Sequence, residues 1–318
     1  MIHKEKILLI DPPHPILRER LENLGFAVDP HYDTPKEELQ KRLPDYFGVV
    51  MRSRVPADRT FIDAAEKLAF IAREGVGTEH IDVDYAESKG IRVLTSPEGS
   101  RDTVAEHALG LLLSLMNNLS RADREVRKGE WIREGNRGVE VKGKTVGILG
   151  YGNMGTALAQ RLAGFQCRVI AYDKYKKDYG DRYAAAVDPE TLWRESDILS
   201  LHIPYMESNH HFVNGDFLDR FHKPVYLVNT ARGLVLHTAD LVDRLKSGRV
   251  RGAALDVLEY EEGSFNFLDF DSLPAPFHYL QQADNVVLSP HIAGWSVESK
   301  AGHGRVLADK IERMFGGG

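Results

Sequence analysis

Thr145-Val146-Gly147-Ile148-Leu149, followed by Gly150-Tyr151-Gly152-Asn153-Met154-Gly155, is the stretch that decides the fold. A β-branched and aliphatic run ends in three glycines spaced G-x-G-x-x-G, and a helical pattern over Met154–Leu162 follows. Glycines at that spacing serve a tight turn, close backbone approach to a pyrophosphate, and close packing of helix on strand. The helix N-terminus then turns free N–H groups and the positive end of its dipole toward the anion. The next run, Arg168–Tyr172, reads as a strand and leads into Asp173, eighteen residues after Gly155. A carboxylate there accepts hydrogen bonds from ribose hydroxyls and repels a 2′-phosphate, which favours NAD over NADP. Lys174, Lys176 and Lys177 follow at once and leave some NADP use open.

Outward from this unit, strands and helices alternate along most of the chain. Toward the N-terminus, strands fit Lys6–Ile10, Phe26–Val28, Phe47–Met51, Ala69–Ala72 and Arg92–Leu94. Helices fit Ile16–Leu24, stopped by Gly25, and Pro35–Leu43, with Thr34 as its cap and Pro35 at its first position. Thr103–Met116 is a longer helix with a capping signal, Thr103 followed three residues later by Glu106, and Ser120–Lys128 is another. Beyond the glycine loop, strands fit Ile198–Leu201, Val225–Val228, Gly252–Leu255 and Val286–Leu288. Helices fit Pro189–Glu195, Thr238–Ser247 and Val297–Met314, while Asp269–Tyr279 reads as a long loop. Alternation of this kind means parallel sheets with crossover helices.

Composition narrows the function. A chain of 318 residues suggests two domains at roughly 150 residues each. With 42% hydrophobic and 28% charged residues, it has the makeup of a globular protein rather than a disordered one. The formal net charge of −6 argues against a nucleic-acid partner, which needs clustered Lys and Arg. The single cysteine, Cys167, excludes an intramolecular disulfide framework and a cysteine-built metal site. No metal is expected. The apolar run Ile7–Ile10 is too short for a signal peptide, and Ala105–Met116 carries Glu106 and His107 and falls short of a membrane span. The expectation is a soluble, cytoplasmic protein with no membrane partner.

Three further motifs lie just past strands, where ligands bind in open α/β sheets. Val228-Asn229-Thr230-Ala231-Arg232-Gly233 offers an arginine able to fork onto a carboxylate. Read alone, an Arg-Gly at a strand end is usually a surface turn. Leu255-Asp256-Val257-Leu258-Glu259-Tyr260-Glu261-Glu262 is acidic, and such runs are usually solvated unless a basic partner is found. Ser289-Pro290-His291-Ile292-Ala293-Gly294 places His291 just past a strand, and a lone histidine in a loop is more often structural than catalytic. The chain has 13 histidines, so position must do the selecting.

Together with Leu201-His202-Ile203-Pro204, these motifs resemble the D-isomer-specific 2-hydroxyacid dehydrogenases over nearly the whole chain. The resemblance implies two doubly wound parallel-sheet α/β domains, a Rossmann NAD-binding domain over residues 99–290 inserted in a flavodoxin-like substrate domain of residues 1–98 plus 291–318. It implies catalytic Arg232, Glu261 and His291. Glu261 is chosen because the family places its acid five residues after the aspartate matching Asp256. The family usually follows that acid with proline, and this chain has Glu262, so Glu259 and Glu262 stay as alternatives. Lining the NAD site it implies Val76, Gly150, Gly152, Asn153, Met154, Gly155, Asp173, Ile203, Thr230, Ala231, Asp256 and Gly294. For substrate it implies the loop of Gly75, Val76 and Gly77 after Arg73 and Glu74, together with Arg232.

The chemistry suits these residue types. A 2-keto oxygen that gains negative charge needs a proton, and a histidinium is the side chain able to supply one near neutrality. A carboxylate beside it favours the charged ring. An arginine holds the substrate carboxylate and polarises the carbonyl. Arg52-Ser53-Arg54 and the Arg73–Gly77 loop look most like the phosphoglycerate dehydrogenase branch, in its short form, with Arg52 and Arg54 as phosphate ligands. A 2-hydroxy or 2-keto acid close to D-3-phosphoglycerate is therefore expected. Glyoxylate or hydroxypyruvate reductase is the rival, and a non-enzymatic NAD-sensing corepressor is the reading from another class. Serine feedback through a further C-terminal domain is not expected. The family is usually a homodimer, with the Thr103–Lys128 helical segment as the contact.

Overall fold

The computed structural model describes residues 5–261 and 270–315. The chain forms two compact units, Met1–Ser100 with Trp295–Gly318, and Arg101–Gly294. The boundary expected before His291 falls after Gly294, because the 289–293 loop is bonded to Asp256 of the second unit.

In the first unit, β1 (Lys6–Leu9), α1 (Pro15–Asn23), β2 (Ala27–Pro30), α2 (Lys36–Arg42), β3 (Gly48–Met51), α3 (Arg59–Asp63), β4 (Phe70–Arg73), α4 (Val83–Ser88) and β5 (Arg92–Leu94) alternate. The strands are all parallel, in the order β2-β1-β3-β4-β5. Ile7 and Leu9 of β1 join one core with Leu17 and Leu21, whereas Leu8 and Ile10 join another with Leu39, Phe61 and Ile62. That is the period of two of a strand covered on both faces, and it explains the near-continuous aliphatic runs.

In the second unit, α5 (Arg101–Met116) and α6 (Leu119–Arg127) precede β6 (Thr145–Leu149), α7 (Asn153–Leu162), β7 (Arg168–Tyr172), β8 (Ala185–Ala186), α8 (Pro189–Glu195) and β9 (Ile198–Leu201). Then come α9 (Gly215–Asp219), β10 (Val225–Asn229), α10 (Thr238–Lys246), β11 (Val250–Leu255), α11 (Ala275–Gln282) and β12 (Val286–Leu288). The order is β12-β11-β10-β9-β6-β7-β8, again all parallel. Winding runs from β6 out to β8, then restarts at β9 on the other side of β6. This reversal makes the carboxyl ends of β6 and β9 the ligand-binding crevice of a doubly wound sheet. The last helix, α12 (Val297–Phe315), returns to the first unit and buries Leu307, Ala308 and Ile311 beside Ile7 and Leu9.

Some local expectations are corrected. The helix expected from Thr103 starts at Arg101, so Thr103 lies inside α5 and does not cap it. Pro35 occupies the cap position of α2 rather than its first turn, and the Thr34 hydroxyl lies 3.2 Å from His31 Nδ1. Four short helices, α3, α4, α9 and α11, were not read from the sequence. Three carry a cap that a scan for Asp or Asn would have found: Asp58, Asp82 and Asn214 accept from the N–H of Phe61, Tyr85 and Phe217. The stretch read as a loop over 269–279 contains the start of α11, which buries Phe277 and Leu280. No helix among the described residues is long and apolar enough to cross a membrane.

Candidate active site

Gly150, with φ +93°, makes the sharp turn out of β6 that an L side chain resists. A Cβ on Gly155 would stand 2.3 Å from the Gly150 carbonyl oxygen, so α7 can approach β6 only with glycine there. A Cβ on Gly152 would meet nothing within 4 Å, so the middle of the loop faces open space. Gly152 is the N-cap of α7 and offers no side-chain cap, which leaves the first-turn N–H groups, beginning with Asn153 and Met154, without a capping side chain. Bare donors at a helix N-terminus facing open space fit an anion.

Asp173 sits against this loop. Its Oδ2 accepts from Tyr151 N at 2.9 Å, and its Oδ1 from Tyr175 N at 3.0 Å and Lys176 N at 3.1 Å. Lys176 Nζ in turn donates to Tyr151 O at 2.7 Å. A cavity of about 550 Å³ opens beside them, reached by Gly150, Gly152, Asp173 and Ile203, with Leu192 and Trp193 among its apolar lining. His202, on the same cavity, is half-buried; desolvation lowers its pKa to about 4, so the ring is neutral, and its Nε2 pairs with Ser200 Oγ at 2.8 Å. Thr230 is buried with no hydrogen-bond partner for its hydroxyl. A buried hydroxyl left unpaired at a strand end is costly unless a ligand completes it.

Arg232, Glu261 and His291 follow β10, β11 and β12, three adjacent parallel strands in which Asn229 pairs with Leu255 and Leu255 with Leu288. The loops therefore emerge at one end of the sheet. Asn229 is buried and holds the first loop, accepting from Ala231 N at 3.0 Å and donating to Arg232 O at 3.1 Å. Gly233 presses on the second loop: a Cβ there would stand 1.9 Å from Leu258 O. Glu261 accepts from Leu258 N through Oε1, and its Oε2 lies 2.6 Å from His291 Nδ1. This is the basic partner that the acidic run required.

Asp256 organises the third loop. It is almost wholly buried, and it accepts from Ser289 Oγ at 2.6 Å, Ile292 N at 2.9 Å and Ala293 N at 2.8 Å, while His107 Nε2 lies 3.3 Å away. Its carbonyl also accepts from His291 N at 2.7 Å. Burial raises its pKa, but the bonds from His107, Ser289, Ile292 and Ala293 outweigh burial and leave it below the ordinary carboxylate value. His291 adopts a left-handed φ of +53° within this grip, and Gly294 follows directly.

Residues 109–293 match the family model for the NAD binding domain of the D-isomer specific 2-hydroxyacid dehydrogenases. The chain belongs to that family. A hydroxypyruvate reductase from Thermotoga maritima is 37% identical over 281 residues, 88% of this chain and 89% of the relative. A D-3-phosphoglycerate dehydrogenase from Archaeoglobus fulgidus is 33% identical over 314 residues, 98% of this chain. This chain spans only 58% of the length of that relative. The crystal structure of a D-lactate dehydrogenase from Aquifex aeolicus, complexed with NAD and lactic acid, superposes with a TM-score of 0.80 at 26% identity, covering 98% of this chain and 95% of the other.

Within this dehydrogenase-family chain, Val76 lies exposed in the loop after β4, in the first unit. Gly75 N donates to Ser96 Oγ at 2.9 Å, and Ser96 bonds His303 Nδ1 of α12 at 2.8 Å, a support for the Gly75–Gly77 loop that no sequence motif announced. The arginines expected to hold phosphate are otherwise engaged. Arg54 donates to the carbonyls of Thr34, Ile10 and His31 and lies 3.5 Å from Asp11, and Arg52 pairs with buried Glu74 at 2.8 Å. Ser53 lies in the bend between them. Arg54 thus braces the strand ends of its own unit. Glu259, the first alternative acid, faces Thr238 N and His211. Glu262, the second, lies outside the described residues.

Proposed function

We propose that this chain is an NAD-dependent oxidoreductase interconverting a D-2-hydroxyacid and its 2-keto acid, with Arg232, Glu261 and His291 as its catalytic group. The observation that carries this is the 2.6 Å pair between Glu261 Oε2 and His291 Nδ1, on loops that leave neighbouring strands beside Arg232. Nδ1 faces the carboxylate, and Nε2 is the ring nitrogen that gives a proton to the substrate oxygen in reduction or takes it in oxidation. Arg232 takes the substrate carboxylate and polarises the carbonyl. NAD, when bound, supplies or accepts the hydride. Open space over Gly152, the bare start of α7, Asp173 beside the 550 Å³ cavity and the unpaired Thr230 hydroxyl all suit that dinucleotide. The NAD-lining set keeps Ile203, Ala231, Asp256 and Gly294, with Asp256 acting by holding the 289–293 loop.

For substrate, the engagement of Arg54 and Arg52 favours a small unphosphorylated keto acid such as hydroxypyruvate or glyoxylate. The phosphoglycerate reading keeps the support of the relatives that match 98% of this chain. The test is NADH oxidation followed by absorbance with hydroxypyruvate, glyoxylate, pyruvate and 3-phosphohydroxypyruvate, repeated with NADPH. The proposal expects turnover with NADH, highest on one of the first two acids, and weaker turnover with NADPH. Highest kcat/KM on 3-phosphohydroxypyruvate would instead establish the phosphoglycerate reading, and no turnover of any acid would remove the enzymatic one. We also propose a cytoplasmic homodimer, to which exposed Leu119, Val126, Trp131 and Ile132 of the α6 region contribute apolar surface. Sedimentation at equilibrium tests it.

A further inference from the structure

One side-chain cluster of the second unit is used by none of the chemistry above. His211, His237 and Glu259 each offer a ligand atom, and these atoms lie within 4.8 Å of one another. They come from three different loops: His211 from the one after β9, His237 from the one before α10, and Glu259 from the one after β11. His211 Nε2 stands 2.7 Å from Glu259 Oε1, yet it is buried without hydrogen-bond geometry to any partner. The two groups are thus close together without being aligned on one another. The His210 and His211 rings stack at 3.9 Å, and the His211 and His237 rings lie at 4.6 Å.

The surroundings hold these donors in place. His211 keeps a left-handed φ of +49°, and its N–H donates to Leu234 O at 2.8 Å. A non-glycine residue stays in that region only when its surroundings dictate it. Glu259 Oε2 accepts from Thr238 N at 2.8 Å, which leaves Oε1 for the cluster. Asp240 Oδ2 lies 3.0 Å from His237 Nδ1 and accepts from Gly215 N at 2.7 Å. A carboxylate on a ligand histidine sets the ring's orientation, the usual arrangement outside a metal's own ligands. All three residues are half-buried, so an ion can reach them and keep a water.

We propose that His211, His237 and Glu259 form a binding site for a divalent transition-metal ion of the zinc class. Two imidazoles and a carboxylate make a borderline ligand set suited to Zn2+. Ligand bonds of about 2.0–2.2 Å put tetrahedral donors roughly 3.4 Å apart. The His211–Glu259 pair opens slightly to reach that spacing and the third donor closes in. The ion ties together the loops after β9, β10 and β11. It thereby clamps the segment that carries Glu259 and, two residues on, Glu261. Its role is structural, and its binding does not depend on the proposed reaction.

The test uses tag-free protein stripped with a chelator and titrated with CoCl2, read by visible absorption and by metal content after gel filtration. The expected result is about one equivalent of Co2+ with tetrahedral d–d bands, displaced by ZnCl2, and a Tm raised by ZnCl2. His211→Ala, His237→Ala and Glu259→Gln should each weaken Co2+ binding at least about tenfold. Glu259→Gln keeps the shape and one acceptor, so the test survives if a histidine variant fails to fold. His222→Ala, an exposed histidine elsewhere, should bind as the unaltered protein does. Absence of the tetrahedral bands, or binding unchanged in Glu259→Gln and the histidine variants, would overturn the proposal and leave an ordinary ion pair capping α10.

Discussion

The two sheets share all-parallel, doubly wound topology, yet finish their strands in opposite ways. In the first unit two carboxylates at the strand ends, Asp11 and Glu74, are paired within the unit. Asp11, after β1, accepts from Arg52 N at 2.6 Å and faces Arg54; Glu74, after β4, takes both Arg52 and the N–H of His14. In the second unit two features at the strand ends are left for a ligand: the buried Thr230 hydroxyl without a hydrogen-bond partner and the start of α7 without a capping side chain. Parallel, doubly wound topology alone therefore does not locate function. The proposed site lies where the buried Thr230 hydroxyl is left unpaired, at some cost in stability.

The comparison can be broken by substitution. Arg232→Lys keeps the charge but loses the planar fork, so kcat/KM should fall by about 10²–10³ while NADH affinity barely changes. Near-normal turnover, measured at saturating NADH, would take Arg232 out of the reaction. Asp256→Asn replaces acceptors with an amide that cannot serve Ser289, Ile292 and Ala293 together. It should cost about 1–3 kcal/mol in urea denaturation and lower activity through the displaced 289–293 loop. Retained activity would show that the grip on this loop is dispensable.

Arg54→Ala tests the other side of the contrast. It should cost about 1–2 kcal/mol of stability through lost bonds to Ile10, Thr34 and His31, and leave unchanged the ratio of kcat/KM for phosphorylated and unphosphorylated keto acids. A collapse of that ratio would mean that Arg54 binds phosphate after all. The smallest effect compares the units directly through the half-buried His202 and His303, each lowered to about 4, His202 by desolvation and His303 by desolvation with help from Arg73 and Arg52. Between the ordinary value near 6.5 and about 4, the unfolded chain binds protons that the native rings refuse. Stability therefore falls as pH drops through that window, by about 1 kcal/mol per pH unit for each histidine. His202→Gln and His303→Gln should each flatten the slope measured between pH 7 and pH 5; an unchanged slope would mean that the rings titrate in the folded state.

What the sequence revealed follows the range of the forces involved. The glycine loop, Asp173 and the strand-end motifs are read from a few adjacent residues, because backbone conformation and local hydrogen bonding decide them. Arg232, Glu261 and His291 required a resemblance, since the pairing of Glu261 with His291 depends on β11 and β12 lying side by side. The bracing bonds of Arg54 leave no signal because its partners, Ile10 and Thr34, lie far away in sequence. Ser96 and His303 leave no signal for the same reason: their bonds in support of the Gly75–Gly77 loop are tertiary and have no fixed spacing. The helices that were missed are no more than eight residues long, too short for periodicity to show, although three carried a readable cap.

The central claim is that Glu261 and His291 act as one proton-handling pair. The direct measurement is the pH–rate profile of Glu261→Gln in both directions at saturating cofactor, beside Glu262→Gln. Removing a carboxylate 2.6 Å from the ring makes the protonated imidazole harder to keep. The fall of kcat/KM for reduction with rising pH should therefore begin at lower pH in Glu261→Gln, and the rising limb of oxidation should move the same way. Glu262→Gln should leave both limbs in place. Profiles that move in Glu262→Gln but not in Glu261→Gln, or in neither, would contradict the pair.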